Sequence, residues 1–177
     1  MARRLARPLP IRFSHARLPP ASRPPPTRLP PASHPLCVQS ALLKLPEAFD
    51  AILEGLESKL AEARMAAALC IRNLAFAADG RAAILAKPRA LPALLRALRP
   101  DDLGLAARAS AALWALIGRC ERAKATLRSG AHQIQLRAAE RALTSKAMIA
   151  PPRTAAARAL LGDCLHCIAS IMTILRL

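Results

Sequence analysis

Two stretches of this chain repeat each other at an offset of 42 residues, and no other feature constrains the fold as tightly. In LPEAFDAILEGL, Phe49, Ile52, Leu53 and Leu56 fall at i, i+3, i+4 and i+7. That spacing puts them on one face of a helix. In KPRALPALLRAL, Leu91, Leu94, Leu95 and Leu98 do the same, and Pro46 and Pro88 precede the two sets at matching places. Proline suits the first turn of a helix, where its missing N–H costs nothing. The offset continues: Ile71, Leu74 and Leu85 map onto Leu113, Leu116 and Leu127, and the loop acid Asp79 maps onto Glu121. Apolar coincidences are cheap in so hydrophobic a chain, so the prolines and the acids select the register.

A period in the low forties, with helices in a short, medium, long rhythm, is the signature of armadillo and HEAT repeats. The expected unit is a short helix over 81–86, a proline-started helix over 88–98 and a longer third helix over 102–119. Asp101 and Asp102 stand where an N-cap is wanted, after Pro100. Gly130 is placed to stop the short helix that contains Leu127. Such units cannot bury their apolar faces alone and stack into a solenoid. About two full repeats are visible, followed by a capping helix pair. Its members are an amphipathic helix over 131–147 and, after Pro151 and Pro152, a last helix over 154–176. The latter carries Leu161, Cys164, Ile168, Met172 and Leu175 along one stripe.

Composition agrees with an all-α class. Of the 177 residues 54% are hydrophobic but only 2% aromatic, with no tyrosine. Leucine, alanine and arginine, all strong helix formers, dominate. The expected organisation is a disordered Pro/Arg-rich tail over 1–39 and a helical repeat domain over 40–177. Residues 1–38 hold seven arginines and no acid, and ten prolines fall within the first 35 residues. That density forbids a stable helix and builds no core. The tail reads as a disordered extension or a mis-assigned start. It also reads as an organellar transit peptide for mitochondrion or plastid, or as a docking tail in polyproline II form.

A net charge of +16 admits an anionic partner: RNA, an acidic protein tail or a lipid surface. The scarcity of stacking aromatics argues against nucleic acid. Five widely spaced cysteines, Cys37, Cys70, Cys120, Cys164 and Cys167, do not form a disulfide framework and fit a reducing compartment. No membrane span is expected, because the most apolar run, 164–175, falls short of the roughly 20 residues a span needs. Cys164 and Cys167 lack the second pair a zinc site requires, and Ile168 stands where haem attachment needs histidine. Both read as buried structural thiols, with His166 on the polar side. No phosphate loop, HExxH, GxSxG or paired-carboxylate arrangement is present, so neither an enzyme nor a cofactor is expected.

Three blocks, ALCIRNLAFAADGRAAIL, ALWALIGRCERAKATLRS and CLHCIASIMTIL, together resemble the extreme C-terminal end of the rotatin family of armadillo-type proteins. The resemblance covers Lys44 to the end, and the segment 112–129 is its most specific part. It implies a scaffold in centriole or basal-body assembly and ciliogenesis, in the cytoplasm and cytoskeleton, with other proteins as partners. It transfers no catalytic residue. This chain is far shorter than family members, and its Pro-Arg N-terminus has no counterpart there. An organelle-targeted repeat protein and a generic armadillo adaptor are the rival readings.

Six residues are candidates for contact with a partner. Arg64, Arg72, Arg108 and Arg119 are expected to line the third helices as a basic strip, suited to an acidic helix or tail; a solvated charged face is the plainer alternative. Asn73 precedes Leu74 where an amide could bond a ligand backbone or, equally, a neighbouring helix. Trp114, the sole tryptophan, falls between a buried face (Leu113, Leu116, Ile117, Cys120) and an opposite face holding Arg108, Ala111, Ala115, Arg119 and Arg122. Peptide-gripping armadillo proteins place asparagine four residues after such a tryptophan, but here Gly118 follows. Packing between repeats is therefore favoured over partner contact.

Overall fold

Alanine, leucine and arginine leave little material for strands, and every regular element among the described residues is a helix. The computed structural model describes residues 44–177; the tail expected over 1–39 lies outside them. The helices are α1 (Pro46–Leu56), α2 (Ala61–Ala75), α3 (Ala78–Ala86), α4 (Ala90–Arg96), α5 (Leu103–Ile117), α6 (Glu121–Leu127), α7 (Gly130–Ile149) and α8 (Ala155–Leu175).

The 42-residue offset reappears in three dimensions. Both bounds of α5 are those of α2 moved on by 42. The buried positions of α2, namely Ala67, Ala68, Ile71, Leu74 and Ala75, map onto Ala109, Ser110, Leu113, Leu116 and Ile117, all buried in α5. The expected face of α1 is buried at Phe49, Leu53 and Leu56, and its counterpart at Leu91, Leu94, Leu95 and Leu98 is buried throughout.

Helices α2, α5 and α8 form one layer, with α5 packed against α2 on one side and α8 on the other. The shorter α4 contacts both α1 and α7 in a second layer behind it. Polar ties join segments distant in the chain. Arg64 on α2 donates to Asp102 Oδ2 at 2.9 Å, Lys87 reaches Asp50 at 2.7 Å, and Arg96 pairs with Glu57.

Local chemistry sets the helix ends. Asp102 caps α5, its side chain accepting from the Leu105 N–H at 3.0 Å, as the sequence leads one to expect. Several boundaries differ from expectation. Asp79 and Glu121 are not loop acids: they occupy the first turns of α3 and α6, where a negative charge meets the positive end of the helix dipole. Pro88 lies in the turn before α4, and Pro92 takes the first-turn place instead. Gly130 stops nothing; it opens α7 with no positive φ, because α6 already ends at Arg128 in a right-handed conformation.

The apolar run expected over 164–175 lies within the 21-residue α8. By length and composition α8 is apolar enough to cross a membrane. Here it buries Leu161, Cys164, Ile168, Ile171 and Leu175 against its neighbours. Ile171 is buried where the expected stripe had Met172, which is half-buried.

Gly80 lies against the end of α2 with no room for a side chain. A Cβ there would lie 2.0 Å from the Leu74 carbonyl oxygen at the end of α2. Gly162 on α8 has open space around it. Gly80→Ala is expected to destabilise the fold by about 1–3 kcal/mol, whereas Gly162→Ala should stabilise it by about 0.5–1 kcal/mol through helix propensity. Urea midpoints of the two variants check this; equal midpoints would contradict the close approach.

Candidate functional site

The layer formed by α2, α5 and α8 carries a groove of about 420 Å³ on its outer face. Small side chains on α5 make its floor: Ala107 and Ala111, one turn apart, cover little of the helix backbone. Leu69 on α2 and Leu160 on α8 give apolar walls, with Arg72 and Arg108 on one side and Asp163, His166 and Cys167 on the other. A shallow apolar trough with cations along one side suits an extended chain bearing acidic side chains.

The electrostatics of Cys167 tie the two walls together. Burial pushes its thiol up, the Ser110 hydroxyl pulls it down, and then Asp163 raises and Arg72 lowers it. A residue on α8 thus lies in the fields of a cation from α2 and an acid of its own helix. Cys164, fully buried one turn earlier, is pushed up to about 11, chiefly by burial. Ser110 is the buried polar residue of the core; its hydroxyl donates to the Ala107 carbonyl at 3.0 Å and lies close enough to act on both thiols. Cys70, Cys120, Cys164 and Cys167 are all free. Among the described residues no group of three or more His, Cys, Asp or Glu is placed to hold a metal ion.

The structure separates the six expected contact residues. Arg72 and Arg108 meet in the groove. Arg72 makes no hydrogen bond or ion pair among the described residues, while Arg108 donates to the Gly104 carbonyl at 2.9 Å. Asn73 is exposed on α2 beside Arg72. Arg64 does not belong with them. Its guanidinium bonds the Ser58 and Lys59 carbonyls and Asp102, and it lines a different cleft of about 470 Å³ with Arg96, Arg99 and Asp101. The basic strip expected from Arg64 to Arg119 is therefore broken at its first member, whose charge is spent on joining two units. Arg119 lies exposed beyond the end of α5, outside the groove lining.

Trp114 also corrects an expectation. It is 44% exposed, so it is not enclosed between helices. Its place on α5 continues the line of Ala107 and Ala111 and corresponds, 42 residues on, to Arg72. Ala115, expected on the open side, is buried, because α5 has a neighbour on each flank. Phe76, 58% exposed just past α2, is an apolar surface residue that sequence reasoning missed. The offset that aligns it with Gly118 could have marked it as outward-facing.

Comparison with protein families, with curated proteins and with solved structures finds no match to this chain.

Two thiols raised by burial give a measurable pH signature. Folding holds Cys164 as the neutral thiol, so stability is fully present below the ordinary value of 9.0 and falls as pH rises from there towards 11. The urea midpoint is expected to drop across that window, and by less in Cys164→Ala. A drop of equal size in the variant would contradict burial as the cause.

Proposed function

We propose that residues 44–177 form an armadillo-type helical solenoid, and that the protein is a non-enzymatic scaffold that binds other proteins. The observation that carries this reading is the recurrence of α2 in α5: bounds and buried positions repeat 42 residues on, and α8 continues the layer. A stack of this kind displays side chains at fixed spacing over several helices, which is what recognition of an extended segment requires. The groove that holds Arg72 and Arg108, with Trp114 further along α5, is the displayed surface. Its partner is an acidic segment with small or medium apolar side chains between the acids.

The cellular role proposed is the one implied by the three blocks that resemble the rotatin C-terminus: centriole or basal-body assembly and hence ciliogenesis. Tagged protein should concentrate at centrioles or basal bodies, and an even spread through the cytosol would count against the role. For the groove itself, the probe is a fluorescent extended peptide of alternating glutamate and leucine. Arg72→Glu/Arg108→Glu should weaken its binding at least about tenfold, with wild-type affinity falling as salt rises. Unchanged affinity in a variant of native helicity would remove the groove from the proposal.

A further inference from the structure

The C-terminal turn of α7 carries an apolar tip that no other part of the described fold covers. Met148 and Ile149, adjacent in sequence, are 80% and 84% exposed, more than any other large apolar side chain among the described residues. Burial of neighbouring large apolar side chains is the usual outcome, so a fully presented pair points to a binding surface.

The tip is held in place. The Ala150 N–H donates to the Lys146 carbonyl at 3.1 Å and ends α7. Pro151 and Pro152 then fix the chain direction. Arg158 donates to the carbonyls of Pro152 and Arg153 at 3.3 and 3.2 Å, and Thr154 caps α8 by accepting from the Ala157 N–H at 3.2 Å. Met148 and Ile149 thus stand on a braced helix end, whose backbone needs little ordering on binding.

Along the chain, the charges that flank the tip are of one sign. Between Glu140 and Asp163 the chain holds Arg141, Lys146, Arg153 and Arg158 and no acid. Asp101 is the acid whose carboxyl feels Lys146, and it is already ion-paired with Arg99 at 2.7 Å.

We propose that this tip inserts into the surface of an anionic membrane. Met148 and Ile149 enter the headgroup–acyl boundary, and Arg141, Lys146 and Arg153 lie against lipid phosphates. An apolar anchor and a cluster of cations act together at such a surface, each cation adding about fivefold in affinity near an anionic leaflet. A neutral protein pocket would take the apolar pair but leave the cations without partners. A second copy would bring like charges together on a chain of net charge +16. The tip shares no residue with the groove, so the inference stands apart from the proposed scaffold role.

The test uses the full chain and vesicles of phosphatidylcholine with and without phosphatidylserine. Sedimentation with the phosphatidylserine vesicles is expected, and Met148→Asp/Ile149→Asp should weaken it at least about tenfold at unchanged helicity. In a Trp114→Phe background, Met148→Trp should shift its emission to the blue on binding and be quenched by brominated acyl chains. Wild-type binding by the double aspartate variant would show that charge alone suffices and overturn the proposal. So would a bound but unquenched Met148→Trp, no binding at all, or self-association that the aspartates abolish.

Discussion

Burial of α5 on two flanks is the constraint on which the rest of the structure depends. A helix gripped from both sides has room only for small residues where its neighbours' backbones come close. Ala106, Ala109, Ala112 and Ala115 recur at every third position of α5, and all are buried. The same positions of α2, 42 residues earlier, read Arg64, Ala67, Cys70 and Asn73, of which only Ala67 is buried. Positions 42 apart thus share a backbone register but differ in side-chain size, the small ones falling where α5 is enclosed. α4 behaves likewise in the second layer: Ala90, Ala93 and Ala97 are buried where α1 has the more open Ala48, Ala51 and Gly55.

Polar groups are distributed to leave that packing undisturbed. Within the core Ser110 is satisfied by the Ala107 carbonyl, and no buried side-chain nitrogen or oxygen of the described residues lacks a partner. The ion pairs lie at the edges, where each is worth roughly 0–1 kcal/mol. Their use is in joining units: Arg64 reaches from α2 to the cap of α5, and Lys87 from the α3–α4 turn to α1. Cations outside these pairs include Arg72 and Arg108 in the groove, Lys146 in the last turn of α7 and Arg153 just after it.

Periodic burial was legible in the sequence because a helix in a stack must repeat its apolar face. The register of 42, the Asp102 cap, the last two helices and the buried Cys164 could all be read that way. Helix starts were less legible, because a lone proline or acid fits both a turn and a first helical turn, as Pro88, Asp79 and Glu121 illustrate. Surface assignments were the weakest. A helical wheel treats α5 as having one buried face, whereas it has two flanks in contact, so Ala115 went to the wrong side. Arg64 looked like a groove cation because its partner, Asp102, is 38 residues away in the chain. The exposure of Trp114 depends on the angle at which α2 and α8 meet α5, and no local pattern encodes that angle.

Native-state hydrogen exchange tests the central placement of α5 most directly. Amides of residues 109–117 are expected to be the slowest in the protein and to exchange only through global unfolding, with α1 and the outer face of α8 opening sooner. Exchange of residues 109–117 as fast as that of α1 would contradict a helix enclosed on both sides, and with it the stacked arrangement of the long helices.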